Sequence, residues 1–293
     1  MLEDRDGFWK VLKQVAPGTP LREGLESILR ARTGALIVVG DSPQVMALVD
    51  GGFRLDCEFV SASVYELAKM DGAIILTPDA RRILYANAML VPDPTIPTFE
   101  TGTRHRTAER VAKQTGELVI SISQRRNLIS LYKGNMRYVL RDISVILTKA
   151  NQALQTLEKY KSVLDQAVTN LSALELEDLV TVLDVVLVVQ RTEMVLRIVT
   201  EIERYISELG TEGRLVSMQL EELVTNVAEE GMLILRDYAQ LGEGRSPEQV
   251  RDHMSGWPHE DLRDLLTIAR IMGLGSAPGT LDSPVSPRGY RIL

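Results

Sequence analysis

The stretch ALIVVG, at residues 35–40, decides the fold of the first part of the chain. Its five consecutive apolar residues, followed by glycine, are typical of a strand that is covered on both faces of its sheet. Further runs of this kind follow, namely AIILT (73–77), LVISIS (118–123) and LISLYK (128–133). Because a helix capped by Thr19-Pro20 precedes the first strand, we interpret residues 1–140 as an α/β domain whose sheet is covered by helices.

Weaker local signals give further predictions for this domain. Residues 45–49 are interpreted as another strand, followed by a turn at 50–52. Ser63 and Glu66 have the spacing of a capping box, which predicts a short helix there. The three prolines within 91–103 predict a loop. Residues 107–115 are predicted to be helical up to Gly116, and the lone Cys57 is predicted to fill a gap in the core.

The β pattern stops at Gly134, and apolar residues then recur at helical spacing. We expect an all-α helical bundle over residues 141–275. Its later helices are predicted at 215–242, 247–254 and 260–272. The tail 276–293 is rich in Pro, Gly and Ser, so it is predicted to be a linker that leads towards a missing C-terminal module.

Composition excludes several classes of protein. One cysteine rules out a disulfide scaffold, and one cysteine with three histidines leaves no zinc centre of the common kinds. The most apolar run, LVTVLDVVLVV at 179–189, is too short to span a membrane and contains Asp184. The charged N-terminus has no signal-peptide pattern, so we expect a cytoplasmic protein without a membrane partner.

A basic segment interrupts this acidic chain of net charge −7. Residues 101–141 carry nine Lys and Arg against Glu109 and Glu117. The densest part, Thr103-Arg104-His105-Arg106-Thr107, lies just before the predicted helix at 107–115, and a helix N-terminus favours phosphate. Guanidinium and threonine groups add donors, which indicates an anionic ligand, although composition alone favours a solvated, charged helix start.

Asp71-Gly72-Ala73 is the second candidate element, at the junction of a predicted helix and the strand at 73–77. An aspartate at a strand edge can ligate Mg²⁺ or Mn²⁺, which prefer hard oxygen ligands, or it can simply end a helix in a turn. No P-loop pattern, dinucleotide fingerprint or H-E-x-x-H sequence occurs in the chain.

Together these elements resemble a known family. Asp71-Gly72-Ala73, followed about 30 residues later by the segment GTRHRTAER at 102–110, resembles the diadenylate cyclase (DAC) domain. The helical second half resembles the branch of that family that scans DNA integrity. The resemblance implies a mixed central sheet flanked by helices in the first domain. It also implies an enzyme, a nucleotidyltransferase that condenses two ATP into cyclic di-AMP and two pyrophosphates.

The resemblance also assigns roles to residues. Asp71, Arg104, His105 and Arg106 are the implied catalytic residues, and Asp71 would bind the Mg²⁺ or Mn²⁺ cofactor. The residues implied to bind ATP are Gly72, Ala73, Leu90, Thr103, Arg104, His105, Thr107 and Ser123. Arg125 and Arg126 are weaker candidates for contact with phosphate or pyrophosphate.

The family resemblance finally implies partners. Two DAC domains must face each other, each holding one ATP, within a homo-oligomer that is an octamer in the full-length family. Branched DNA is bound through a C-terminal helix-hairpin-helix module, and no such hairpin occurs in this sequence. The implied location is the bacterial cytoplasm, at the nucleoid. Two alternatives stay open: a non-catalytic scaffold that senses ATP or cyclic di-AMP at a DNA-integrity checkpoint, and a different nucleotidyltransferase with the same phosphate cradle.

Overall fold

A computed structural model describes residues 10–242 and 244–291 of this chain. The chain forms two compact units. The first extends to Ile146 and also includes Ser207–Glu212, while the second comprises Leu147–Ile206 and the residues from Gly213 onward. The first unit contains a mixed sheet with helices, and the second is helical. This confirms the predicted fold class.

The first unit is built on an eight-stranded sheet. Its central strand β1 (Ala35–Val39) pairs in parallel with β4 (Ala73–Leu76) and antiparallel with β6 (Leu118–Ser123). The remaining strands are β2 (Val49–Asp50), β3 (Phe53–Glu58), β5 (Arg82–Leu90), β7 (Leu128–Lys133) and β8 (Met136–Val139). The order across the sheet is β2-β5-β4-β1-β6-β7-β8, and β3 pairs with β5.

Helices cover both faces of this sheet. Helices α1 (Pro20–Arg30) and α3 (Ser61–Leu67) pack on one face, while α2 (Pro43–Met46) and α4 (Thr103–Thr115) pack on the other. All five residues of β1 are buried, and they alternate between the two cores. The continuous apolar run that predicted this strand therefore has its expected cause, since each face of the sheet meets a layer of helices.

Two predictions for residues 45–58 are wrong. Of the residues predicted as a strand at 45–49, Val45 and Met46 instead end helix α2, because Ser42 caps that helix by accepting a hydrogen bond from Val45 N at 3.4 Å and Pro43 begins it. Only Val49 belongs to a strand there. The sequence analysis also missed strand β3, whose residues are all exposed, so no apolar run marks it. Cys57 lies in β3 and is exposed, which contradicts its predicted place in the core.

Helix and strand limits differ from prediction at three more points. Helix α3 begins after Val60 without a side-chain cap, so the capping box of Ser63 and Glu66 is wrong, although the helix is present. Helix α4 begins at Thr103 rather than at residue 107. Strand β8 follows Gly134, where no further strand was predicted, because a tight turn lets Met136–Val139 pair with β7.

The second unit consists of helices and turns. It contains most of the two long helices, α5 (Ile143–Glu177) and α6 (Val182–Leu209). The single helix predicted at 215–242 is divided, because Asn226 takes a left-handed backbone conformation at φ 66°. The shorter helices are α7 (Arg214–Leu223), α8 (Val227–Tyr238), α9 (Pro247–Ser255), α10 (His259–Arg263) and α11 (Leu265–Ile271).

The tail that was interpreted as a linker packs on the second unit. Thr181 forms a β-bridge with Pro284, and the buried carboxylate of Asp237 accepts hydrogen bonds from the backbone N–H groups of Tyr290 and Arg291. The Arg291 guanidinium lies 2.9 Å from Glu175. Residues 284–291 are therefore held in place by specific contacts rather than extended as a free spacer. Ile292 and Leu293 lie outside the described residues.

Candidate active site

The candidate residues converge on one edge of the sheet. Leu36 pairs with Ala73 in the parallel ladder of β1 and β4, so Asp71 precedes β4 at the same edge where β1 begins. The antiparallel neighbours end at this edge, which brings Leu90 of β5 and Ser123 of β6 there as well. Strand register therefore gathers sequence-distant segments around a single place.

The backbone at Asp71-Gly72 requires glycine. Gly72 has φ +102°, and a Cβ added to it would lie 2.8 Å from the backbone carbon of Asn87 and 3.0 Å from the Ala88 oxygen. No side chain fits between these strands without moving backbone, and a positive φ favours glycine in any case. The turn leaves the Asp71 carboxylate fully exposed, as a metal or substrate ligand would need to be.

Helix α4 brings the basic motif to Asp71. Its N-cap is Gly102, without a side-chain hydrogen bond, so the motif forms the first turn of the helix itself. The free N–H groups of that turn favour an anion. The Arg104 guanidinium lies 3.8 Å from the Asp71 carboxylate, so the two motifs that were singled out in the sequence meet.

Gly34 makes room for Arg104, and the sequence analysis missed it. A Cβ on Gly34 would lie 1.9 Å from Arg104 Nη1 and 2.9 Å from its Cζ. The guanidinium therefore lies against the bare backbone just before β1. A glycine before a buried strand is the only sequence signal, and it does not indicate which side chain covers it.

His105 is the buried member of the motif. Its Nδ1 lies 3.0 Å from the Tyr132 hydroxyl, which donates to Glu100 Oε1 at 2.8 Å. Arg137 Nε lies 2.6 Å from the same carboxylate oxygen. Burial lowers the pKa of His105 while Glu100 opposes the shift, and burial with the Glu100 hydrogen bond raises the pKa of Tyr132 to about 12. The sequence analysis missed Glu100 and Tyr132, because neither belongs to a motif.

The other candidates are distributed around this group. The Ser123 hydroxyl accepts a hydrogen bond from Arg126 N at 3.2 Å, and the Arg126 guanidinium lies 3.3 Å from the Thr101 hydroxyl. Arg126 therefore reaches the start of helix α4. Arg106 and Arg125 are exposed, and neither forms an ion pair with another described residue. Thr103 and Thr107 lie one turn apart on α4.

Part of the basic segment holds a loop rather than a ligand. We call residues 91–102 the pinned loop, because α4 binds it at several points. Arg110 donates to the backbone oxygens of Pro94 and Ile96, and Lys113 donates to that of Pro97. Glu109 accepts from Phe99 N at 3.2 Å. The anion-binding region expected across the basic segment at 101–141 is therefore limited to the N-terminal part of that segment and to Arg126.

Comparison with protein families now decides the relationship. The family model "DisA bacterial checkpoint controller nucleotide-binding", the DAC domain, matches residues 22–137, and "DisA bacterial checkpoint controller linker region" matches residues 140–281. A relative named DNA integrity scanning protein DisA, from Symbiobacterium thermophilum, is 72% identical over 292 residues, covering 100% of this chain and 82% of the relative. This chain belongs to the DisA family.

Two further DisA relatives support this assignment. The one from Carboxydothermus hydrogenoformans is 61% identical and covers 96% of this chain and 80% of its own length. The one from Clostridium botulinum strain Loch Maree is 58% identical and covers 100% and 82%, respectively. All the site residues described above fall within the range of the DAC model, which confirms the family resemblance inferred from the two motifs.

The described part of this DisA-family chain contains neither a membrane-spanning helix nor a cluster of metal-binding side chains. Within 10–242 and 244–291, no helix is long and apolar enough to cross a membrane. The same residues contain no group of three or more His, Cys, Asp or Glu side chains arranged to hold a metal ion.

Proposed function

We propose that this chain is a diadenylate cyclase that condenses two ATP molecules into cyclic di-AMP and releases two pyrophosphates. The observation that carries the proposal is the meeting of Asp71 with Arg104 at the start of helix α4, at 3.8 Å. A carboxylate of the kind that binds divalent metals thus lies beside a cation and free helix N–H groups, which suit phosphate.

The chemistry consists of two equivalent substitutions. The 3′-hydroxyl oxygen of each ATP forms a bond to the α-phosphorus of the other, the bond from that phosphorus to the bridging oxygen breaks, and pyrophosphate leaves with the electron pair. The hydroxyl proton passes to solvent water in each step. Because one site holds one ATP, we propose that a second copy of the domain faces the first within a homo-oligomer.

Positioning and charge neutralisation supply most of the catalysis in such a transfer. Arg104 and the first-turn N–H groups of α4 would hold phosphate oxygens, and Arg126 would reach the same anion from the β6–β7 turn. The exposed Asp71 suits Mg²⁺ or Mn²⁺, since Mg²⁺ is commonly bound by one or two carboxylates with substrate phosphates and water. Such an ion would offset the negative charge of the polyphosphate.

The name of the relatives adds a cellular role to the proposal. They are called DNA integrity scanning proteins, and we propose that this chain serves the same process. We further propose that it assembles into an octamer, and that branched DNA is the partner of the full-length proteins of the family. The alternative is a scaffold of a DNA-integrity checkpoint that binds ATP or cyclic di-AMP without turning ATP over. That alternative requires the same pocket but no chemical step.

The decisive experiment incubates the purified chain with ATP and either Mg²⁺ or Mn²⁺ and detects cyclic di-AMP by mass spectrometry. We expect product from the wild type and at least a hundredfold less from Asp71→Asn, since the amide removes the charge offered to the metal. Asp41→Asn is the matched control, because Asp41 is exposed and follows β1 at the opposite edge of the sheet.

Each outcome is decisive. ATP binding without product under both metals would refute the cyclase and favour the sensing scaffold. Full activity of Asp71→Asn would remove Asp71 from the mechanism. Circular dichroism of both variants checks that the fold is retained.

A further inference from the structure

We propose that Glu100 and Tyr132 are positioning residues for His105: they fix its imidazole in the form protonated at Nδ1 and so make Nε2 the ring atom that faces a bound nucleotide. The presence of a nucleotide beside His105 rests on the proposed function, whereas the position of the proton on the His105 ring does not.

The contacts form a chain from a surface cation to a buried ring. Arg137 Nε lies 2.6 Å from Glu100 Oε1, and the same oxygen lies 2.8 Å from the Tyr132 hydroxyl. That hydroxyl lies 3.0 Å from His105 Nδ1. The Glu100 side chain is 8% exposed and His105 is 7% exposed, so water has little access to compete for these bonds.

The direction of the protons follows from the chemistry of the groups. A carboxylate in an ion pair only accepts hydrogen bonds, so the single phenol proton of Tyr132 points to Glu100. The phenol oxygen is then an acceptor towards His105, and Nδ1 must carry the proton. The opposite arrangement would place the phenol oxygen and the carboxylate oxygen 2.8 Å apart with no proton between them.

The remaining ring nitrogen has no partner among the residues that the structure describes. His105 Nε2 is buried and forms no hydrogen bond to any described residue. A Cβ placed on Gly102 would lie 3.7 Å from His105 Cδ2, the atom bonded to Nε2, so this edge of the ring lies beside the start of helix α4. A buried unsatisfied nitrogen costs stability, and a ligand group at the helix start would satisfy it.

The fixed form decides what Nε2 offers. With the proton at Nδ1, Nε2 carries a lone pair that accepts a hydrogen bond from a nucleotide hydroxyl. A phosphate oxygen at the same place would require a second proton on the ring. The burial that lowers the pKa of His105 favours the neutral ring.

The test reads the protonated nitrogen directly by ¹⁵N NMR of histidine side chains in the nucleotide-free chain. Only three histidines are present, and the exposed His259 gives the signal of an unconstrained ring, which in water prefers the proton on Nε2. We expect His105 to be protonated at Nδ1 in the wild type. In Tyr132→Phe the form protonated at Nε2 should become dominant, as in His259.

Two controls and a functional measurement complete the design. Tyr85→Phe in β5 should leave the His105 signal unchanged. Glu100→Gln keeps the phenol of Tyr132 and should weaken the preference of His105 for the proton at Nδ1. ATP binding should weaken about tenfold in Tyr132→Phe, as expected for a residue that orients another.

Three outcomes would overturn the inference: His105 protonated at Nε2 in the wild type, an unchanged signal in Tyr132→Phe, or a changed signal with unchanged ATP affinity. The NMR measurement needs no catalysis. A chain that has the expected His105 signal but makes no cyclic di-AMP would therefore refute the proposed function and leave the fixed form of His105 intact.

Discussion

Replacing Gly34 by alanine should displace the Arg104 guanidinium while leaving the domain folded. The new Cβ would lie 1.9 Å from Arg104 Nη1 in the present geometry. Non-bonded heavy atoms approach to about 3.5 Å, so the guanidinium must shift by roughly 1.5 Å. Arg104 can do so because it is the far end of a flexible side chain, and the shift alters its separation from Asp71, which is now 3.8 Å.

The expected loss is large for function and small for stability. A misplacement of about 1 Å in a site that works by positioning can cost about 100-fold in rate. The unfolding free energy should change by less than about 1 kcal/mol, because Gly34 does not have a positive φ and alanine reduces the freedom of the unfolded chain. A slight contact with the Ile122 oxygen, at 3.3 Å, opposes that gain.

The assay measures cyclic di-AMP formation and ATP affinity beside thermal unfolding. Gly24→Ala is the matched control, since its Cβ would lie 3.6 Å from the Ser61 oxygen in ordinary contact, and it should retain full activity. The double variant Gly34→Ala/Arg104→Ala should bind ATP within about twofold of Arg104→Ala alone, because the clash disappears with the arginine. Normal activity in Gly34→Ala, or additive losses in the double variant, would refute the reasoning.

Two further predictions concern the buried hydrogen bonds. The pKa of Tyr132 is raised to about 12, so its neutral phenol stabilises the fold fully below about pH 10, and this stabilisation is lost as pH rises through 12. In urea unfolding, the difference in unfolding free energy between wild type and Tyr132→Phe should therefore fall by on the order of 2 kcal/mol over that range. A difference that stays constant with pH would contradict this prediction. Asp237→Asn should lower the unfolding free energy by about 2–3 kcal/mol in the same measurement, because the NH₂ group of the amide would face one of the backbone N–H groups of Tyr290 and Arg291. The control Asp252→Asn, at an exposed residue, should cost almost nothing. Equal losses in the two variants would contradict the role of the tail contacts.

The strands that could be predicted are those with a local cause. Strands β1 and β4 are continuous apolar runs, and β6 and β7 are largely apolar, because both faces of the sheet are covered. Strand β3 has no such run, since its residues are exposed, and its pairing with β5 depends on a distant segment. Residues 45–49 were mistaken for a strand because a serine cap and a proline decide a four-residue helix more strongly than apolar content does.

Contacts within the candidate site could be anticipated from the sequence where motifs mark the residues, and not where the residues come together only through folding. The meeting of Asp71 and Arg104 follows the expectation from the paired motifs. Glu100, Tyr132 and Arg137 come from three segments, and only the fold brings them to His105. The number of positive charges also overestimated the extent of the anion-binding region, because Arg110 and Lys113 bind backbone oxygens of the pinned loop. A sequence does not distinguish such cations from those that could bind a ligand.

The pinned loop also fixes a distance along the chain. Loops generally tolerate insertions, but this one is bound to side chains of α4 at Pro94, Ile96, Pro97 and Phe99. One extra residue would put several of these bonds out of register at once. Because β4 and β5 also pair antiparallel before it, with irregularities in their register, both ends of the interval between Asp71 and Arg104 are held by the fold. The fold therefore constrains the number of residues between the two motifs as well as the residues within them.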